Sequence, residues 1–169
     1  MKHLLAALAL LGLLLSATLH FSTFVGLDLI DAFPGAWLLH VALFVVMIPA
    51  YYLPRANPSP LGKRPSAPAP NRLLSFFVVL SALLFFYLLV NFGLTGYLLR
   101  HGSAHRETDG TYSLRNHGSF VRVLSERDFH RYNAYEARLF SGHWMFFYSM
   151  AATMFIASVT DRSRPRETT

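Results

Sequence analysis

Residues Thr108–Ser149 read TDGTYSLRNHGSFVRVLSERDFHRYNAYEARLFSGHWMFFYS and form the one long polar stretch of the chain with evident local design. Within it, Thr111–Arg115 and Ser119–Leu124 are β-rich runs separated by Asn116-His117-Gly118. A two-residue turn at His117-Gly118, with Gly118 supplying positive φ, would set Leu114 opposite Val121 and Tyr112 opposite Val123, leaving one face apolar. A three-residue loop would pair Tyr112 with Arg122 and mix the faces. Ser125 then has the attributes of a helix N-cap. Asp128 follows three residues on, where a carboxylate can reach back, and Leu124 and Phe129 have the spacing of a hydrophobic staple. Glu126 and Asp128 place negative charge in the first turn, where the helix dipole favours it. Phe129, Tyr132, Tyr135, Leu139 and Phe140 recur at helical spacing with Arg127, Arg131 and Arg138 among them. They predict an amphipathic helix running towards the next apolar segment.

Outward from this stretch the chain is apolar helix or Pro-rich connector. With 169 residues, 53% of them hydrophobic, it reads as one integral membrane domain rather than a soluble globule. At roughly 20 residues per span there is room for about four spans plus loops. The first two fall in residues 1–53, joined by a short loop carrying Asp28 and Asp31. The third is at 73–99, with Asn71 placed to cap it, and the fourth at 142–160. Residues 54–72 are a linker with six prolines, four basic residues and no acid, which favours extended polyproline II, and residues 161–169 form a basic tail. The expected fold is therefore all-α: a four-span transmembrane helical bundle. A small extracytoplasmic β-hairpin and amphipathic helix, residues 100–141, form a hat between spans three and four. The apolar run after Lys2 lacks a convincing cleavage site, so residues 1–25 read as a retained span. Asn91, Gly93, Thr95 and Gly96 on the third span, and Ser149, Ala152, Thr153 and Ala157 on the fourth, are small or amide-bearing positions expected at close helix contacts. Lys2, the linker and the tail fall on one side, which by the positive-inside rule places both termini in the cytoplasm, as in a bacterial inner membrane, with the hat outward.

The absence of cysteine excludes disulfides, thiolate catalysis and Cys-ligated metal sites. The net charge of +6 reports topology, and no nucleic-acid-binding motif accompanies it. No internal repeat suggests an inverted-repeat transporter. His20, His40 and His143 lie at a similar depth on three expected spans. Two histidines on different helices at one depth are what a bis-imidazole b-haem requires. These three are thus candidate cofactor-binding residues, and a haem- or quinone-binding redox protein is the alternative function. Ser141-Gly142-His143 resembles one of the three motifs of the phosphatidic-acid-phosphatase type of lipid phosphatases. The other two are missing, so the resemblance ends at three residues. Ser141 and His143, two apart on a helix, point to different faces and make no dyad. Asp28 and Asp31 read as solvated loop acids, and Arg131 with Asp128 and Arg138 with Glu136 as ion pairs. The hat has arginines and no lysine, which suggests planar contacts to carboxylates of a partner. Without a motif for catalysis or transport, the leading expectation is a non-catalytic accessory, assembly or interaction subunit of a larger membrane complex. Its partners would be membrane lipid and other integral membrane subunits. Arg115, Arg122, Tyr132, Tyr135, Arg138 and Trp144 are the candidate docking residues.

Overall fold

A computed structural model describes residues 2–27, 29–52 and 71–160. Asp28, the linker up to residue 70 and the tail from residue 161 lie outside the described residues. Helix α1 is Lys2–Ser22 and continues through a 3-10 turn, Thr23–Val25. A short helix α2, Leu29–Ala32, and a second 3-10 turn, Pro34–Trp37, lead into α3, Leu38–Tyr52. Helix α4 is Arg72–Leu98, and its N-terminus is satisfied as expected: the Asn71 side chain accepts from the amides of Leu73, at 3.0 Å, and Leu74. Strands β1, β2 and β3 follow, and α5, Glu126–Thr160, runs unbroken for 35 residues through both the polar stretch and the apolar segment behind it.

Three stretches are long and apolar enough to cross a membrane: Lys2–Val25, Pro34–Tyr52 and Arg72–Leu98. Helix α5 is not among them, and its position explains why. It lies along α1, α3 and α4, which pack on it more than on one another. Its covered face carries Trp144, Tyr148, Ala151, Ala152 and Phe155, all buried. A helix covered by its neighbours can hold small and polar residues that an outward-facing helix cannot. The surrounding helices show the reverse pattern, with Leu14, Val41, Phe86 and Val90 pointing outward.

The contacts on α5 are specific. Gly12 of α1 sits against the ring of Tyr148, and a Cβ there would lie 2.3 Å from a ring carbon. The Tyr148 hydroxyl donates to the Leu39 carbonyl of α3 at 2.7 Å, so one side chain ties two helices to α5. On another face Ser81 of α4 bonds Ser149 and Thr153 at 3.1 Å each. The small-residue face expected on the fourth span is thus occupied by a helix of the same chain. Of the four small or amide-bearing positions singled out on α4, Asn91 and Thr95 are buried. Gly93 and Gly96, expected at a close contact, face open space. Since Tyr148 is held at both ends, Gly12→Ala should cost about 1–3 kcal/mol through overpacking. Thermal unfolding in detergent measures it, and an unchanged midpoint would contradict this packing.

The hat is a three-stranded antiparallel sheet in the order β1-β2-β3, where the sequence suggested a hairpin alone. The added strand β1, Ser103–Arg106, has no β-branched residue and exists by pairing with β2, Tyr112–Asn116. The two-residue turn is present, with His117 and Gly118 both at positive φ. The expected register fails beyond it: a bulge on β3, Ser119–Leu124, sets Leu114 opposite Arg122, Ser113 opposite Val123 and Tyr112 opposite Leu124. The cause lies at both strand ends. The turn fixes one end, and Leu124, directly before the start of α5, must reach the core formed with Leu114 and Tyr132. The one-residue mismatch is absorbed by the bulge. Ser125 caps α5, accepting from the Asp128 amide at 3.1 Å while its hydroxyl donates to the Asp128 carboxylate at 3.0 Å. Tyr112 stacks on Phe129 at 4.4 Å.

On the opposite sheet face Arg115 makes a two-pronged contact with Glu107, both bonds at 2.8 Å, and Ser113 donates to the same carboxylate. Asp109 accepts from the Thr111 amide and hydroxyl and closes the β1–β2 turn. The bonds from Arg115 and Ser113 hold Glu107 below its ordinary value of 4.5, and those from Thr111 hold Asp109 below 3.8. A carboxylate with a depressed folded pKa adds stability that is full above its ordinary value and lost as pH falls through the folded one. The protection of the β1 and β2 amides, taken relative to the intrinsic exchange rate at each pH, should therefore fall as pH drops below about 4.5, and Glu107→Gln should flatten the part of that dependence that Glu107 supplies.

Candidate functional site

The densest polar cluster of the bundle lies where the end of α1, the middle of α4 and the middle of α5 meet. Its centre is His20, fully buried. His20 Nδ1 is 2.9 Å from Ser141 Oγ, and Nε2 is hydrogen-bonded to the Tyr87 hydroxyl. Ser141 donates its own proton to the Ala137 carbonyl at 2.6 Å, so it accepts from His20. That assigns the proton to Nδ1 and leaves Nε2 to accept from Tyr87. The chain of donors runs Tyr87 to His20 to Ser141 to a backbone carbonyl, with every polar atom paired. Around it, Asn91 of α4 donates to the Arg138 carbonyl at 3.0 Å. Arg138 donates from Nε to Thr23 Oγ1 at 3.1 Å and from a terminal nitrogen to the Thr23 carbonyl at 3.2 Å. Its guanidinium lies 4.0 Å above the Phe24 ring. Gly142 makes room for this junction, since a Cβ there would meet the Asn91 amide nitrogen at 2.6 Å.

The three histidines singled out from sequence have separate surroundings. His20 serves the junction just described. His40 accepts from the Trp144 indole at 3.0 Å and packs edge-on against Phe44. His143 donates from Nδ1 to the Leu139 carbonyl at 2.8 Å and meets Phe92 of α4 edge-on. Ser141, His143 and Trp144 thus meet α1, α4 and α3 respectively, and this segment of α5 is where three helices are keyed to it. Both ring nitrogens of His20 are engaged by side chains, and the geometry does not aim the histidines at a common ligand. Among the described residues there is no group of three or more His, Cys, Asp or Glu able to hold a metal ion.

The candidate docking residues also divide. Trp144 is fully buried and Tyr132 nearly so, so both are core. Arg115 is engaged by Glu107 within the sheet. Arg122 is exposed on β3. Arg138 turns to Thr23, and Arg131 approaches Asp128, at 4.0 Å. Tyr135 and Arg138 line a cleft of about 730 Å³ between the end of α1 and the polar half of α5.

Sequence reasoning missed Tyr87 and Thr23. Tyr87 carried a signal, a hydroxyl in the middle of an otherwise apolar run. Thr23 carried none. Comparison with family models, curated proteins and solved structures finds no match.

The buried chain of hydrogen bonds makes a graded expectation. Tyr87→Phe should cost about 0.5–1.5 kcal/mol, the range for one hydrogen bond between apolar helices. His20→Ala should cost about 2–4 kcal/mol, because it leaves the Tyr87 hydroxyl without its acceptor and Ser141 without its donor around a cavity. Ser16→Ala should be neutral or stabilising, since Ser16 Oγ is buried with no partner. Thermal midpoints in detergent rank the three, and a His20→Ala variant as stable as the parent would show that the chain carries no weight.

Proposed function

We propose that this chain is a four-span protein of a bacterial inner membrane, with both termini cytoplasmic, that serves as a non-catalytic accessory or assembly subunit of a larger membrane complex. The fourth span is the apolar half of α5, which lies alongside three helices long and apolar enough to cross a membrane. The orientation rests on the positive-inside rule, with Lys2, the basic linker and the tail on the cytoplasmic side and the sheet outside.

The observation that carries the interaction role is strand β3. It is an edge of the sheet, paired on one side only, and it exposes Phe120, Val121 and Val123. An exposed apolar edge strand is a template for another chain. Arg122 stands in the same strand and offers a planar contact to a partner carboxylate. The docking face is therefore Phe120–Val123, and the partner is another integral membrane subunit or a protein reaching the outer surface.

The test is purification of the tagged full chain from its native membrane in mild detergent. A stoichiometric partner is expected, lost by tenfold or more in a Phe120→Ser, Val123→Lys double variant that still unfolds at the parental temperature. A parent chain that emerges alone, or a partner retained by the double variant, overturns the reading.

A further inference from the structure

We propose that the cleft between the end of α1 and the polar half of α5 holds the phosphate of an anionic membrane-lipid headgroup. The inference rests on the membrane insertion proposed above and adds a ligand to it.

Arg127, Arg131 and Arg138 line this cleft together. Their spacing, i, i+4 and i+11, puts them on one face of α5, and Ala134 between them leaves the space that a larger side chain would fill. The three charges are poorly compensated. Arg138 spends its hydrogen bonds on Thr23, a hydroxyl and a carbonyl, so neutral groups hold it while its charge remains. Arg131 makes a 4.0 Å approach to Asp128 and lies 5.9 Å from the centre of the Tyr135 ring, with its side chain 62% exposed. Arg127 is exposed. Arg138 is thus fixed at the floor by Thr23 and by the Phe24 ring, and Arg127 and Arg131 are free to close from the rim. A group with several acceptor oxygens, approached by planar donors from two sides, fits this arrangement.

The surroundings distinguish a lipid from a soluble anion. The cleft is built on the end of the apolar stretch Lys2–Val25. Phe24, Val25 and Leu27 stand exposed beside it, the position where acyl chains meet headgroups. A soluble phosphate would use the arginines and leave that apolar rim idle, whereas a lipid uses both. The volume, about 730 Å³, exceeds what a phosphate alone fills and lies within the ordinary range for small-molecule sites.

The test uses the full chain in phosphatidylcholine nanodiscs with and without a minor share of phosphatidylglycerol, with retained lipids counted by native mass spectrometry. The parent should retain phosphatidylglycerol in preference to phosphatidylcholine. Arg127→Gln with Arg131→Gln should weaken that retention by roughly 30-fold, about fivefold per arginine at a membrane surface, while Arg122→Gln, outside the cleft, should not. Both cleft arginines are exposed, so the double variant should unfold at the parental temperature. Equal retention of the two lipids, full retention by the double variant, or displacement of the lipid by glycerol 3-phosphate at equal concentration overturns the proposal. Failure of the chain to enter phosphatidylcholine discs would instead overturn the membrane reading itself.

Discussion

A polar side chain among apolar helices is costly to leave without a partner, because no water is at hand to satisfy it, and this requirement governs how the bundle is assembled. His20 is where it acts most strongly. Its ring can be buried only if Tyr87 and Ser141 arrive together from two other helices. The requirement therefore specifies the rotation of α1, α4 and α5, which apolar packing alone specifies weakly. Ridges of Leu, Phe and Val accept many rotations; a donor–acceptor chain accepts one. The Trp144–His40 bond and the Tyr148–Leu39 bond do the same for α3. Polar residues that look like candidate chemistry thus fix the arrangement of the helices.

This also explains which parts of the structure were legible in the sequence. The three helices long and apolar enough to cross a membrane were readable because outward-facing helices of this kind carry continuous apolar runs. Asn71 and Ser125 were readable as caps because the rule is local: the side chain bonds an amide two or three residues away. The turn at His117-Gly118 was readable for the same reason. The register of β3 was not, since it depends on where Leu124 must sit relative to a helix that begins after it. Strand β1 was invisible, because Ser103-Ala104-His105-Arg106 is a strand by pairing and not by composition. For the histidines, depth along a helix says nothing about rotation: His20, His40 and His143 face different neighbours.

Arg138 belongs to two levels of the molecule at once. Its backbone carbonyl accepts from Asn91 within the bundle, and its guanidinium reaches out to Thr23 and Phe24 at the end of α1. The polar junction inside and the basic cleft outside are therefore held by one residue, so a change in the angle between α1 and α5 would alter both. The sheet is less closely tied to the bundle. It rests on α5 through Tyr112, Leu114, Leu124 and their contacts with Phe129 and Tyr132, and its Glu107–Arg115 pair lies on the opposite face.

The place of α5 in the chain has a further consequence, for biogenesis. Chains are made from the N-terminus at roughly 5–20 residues per second, and the helix on which α1, α3 and α4 rest is made after all three of them. Until Ser141, Trp144 and Tyr148 emerge, His20 lacks one of its two partners, His40 lacks the Trp144 indole, and α1, α3 and α4 have no shared support. The unfinished chain is thus a set of helices without their shared support and with unsatisfied polar groups. Helix α5 in turn is too polar to be recognised by apolarity alone and finds its place through the partners that precede it. A chain stopped short of residue 141 would lack Trp144, Tyr148 and Phe155, and with them the core of the bundle.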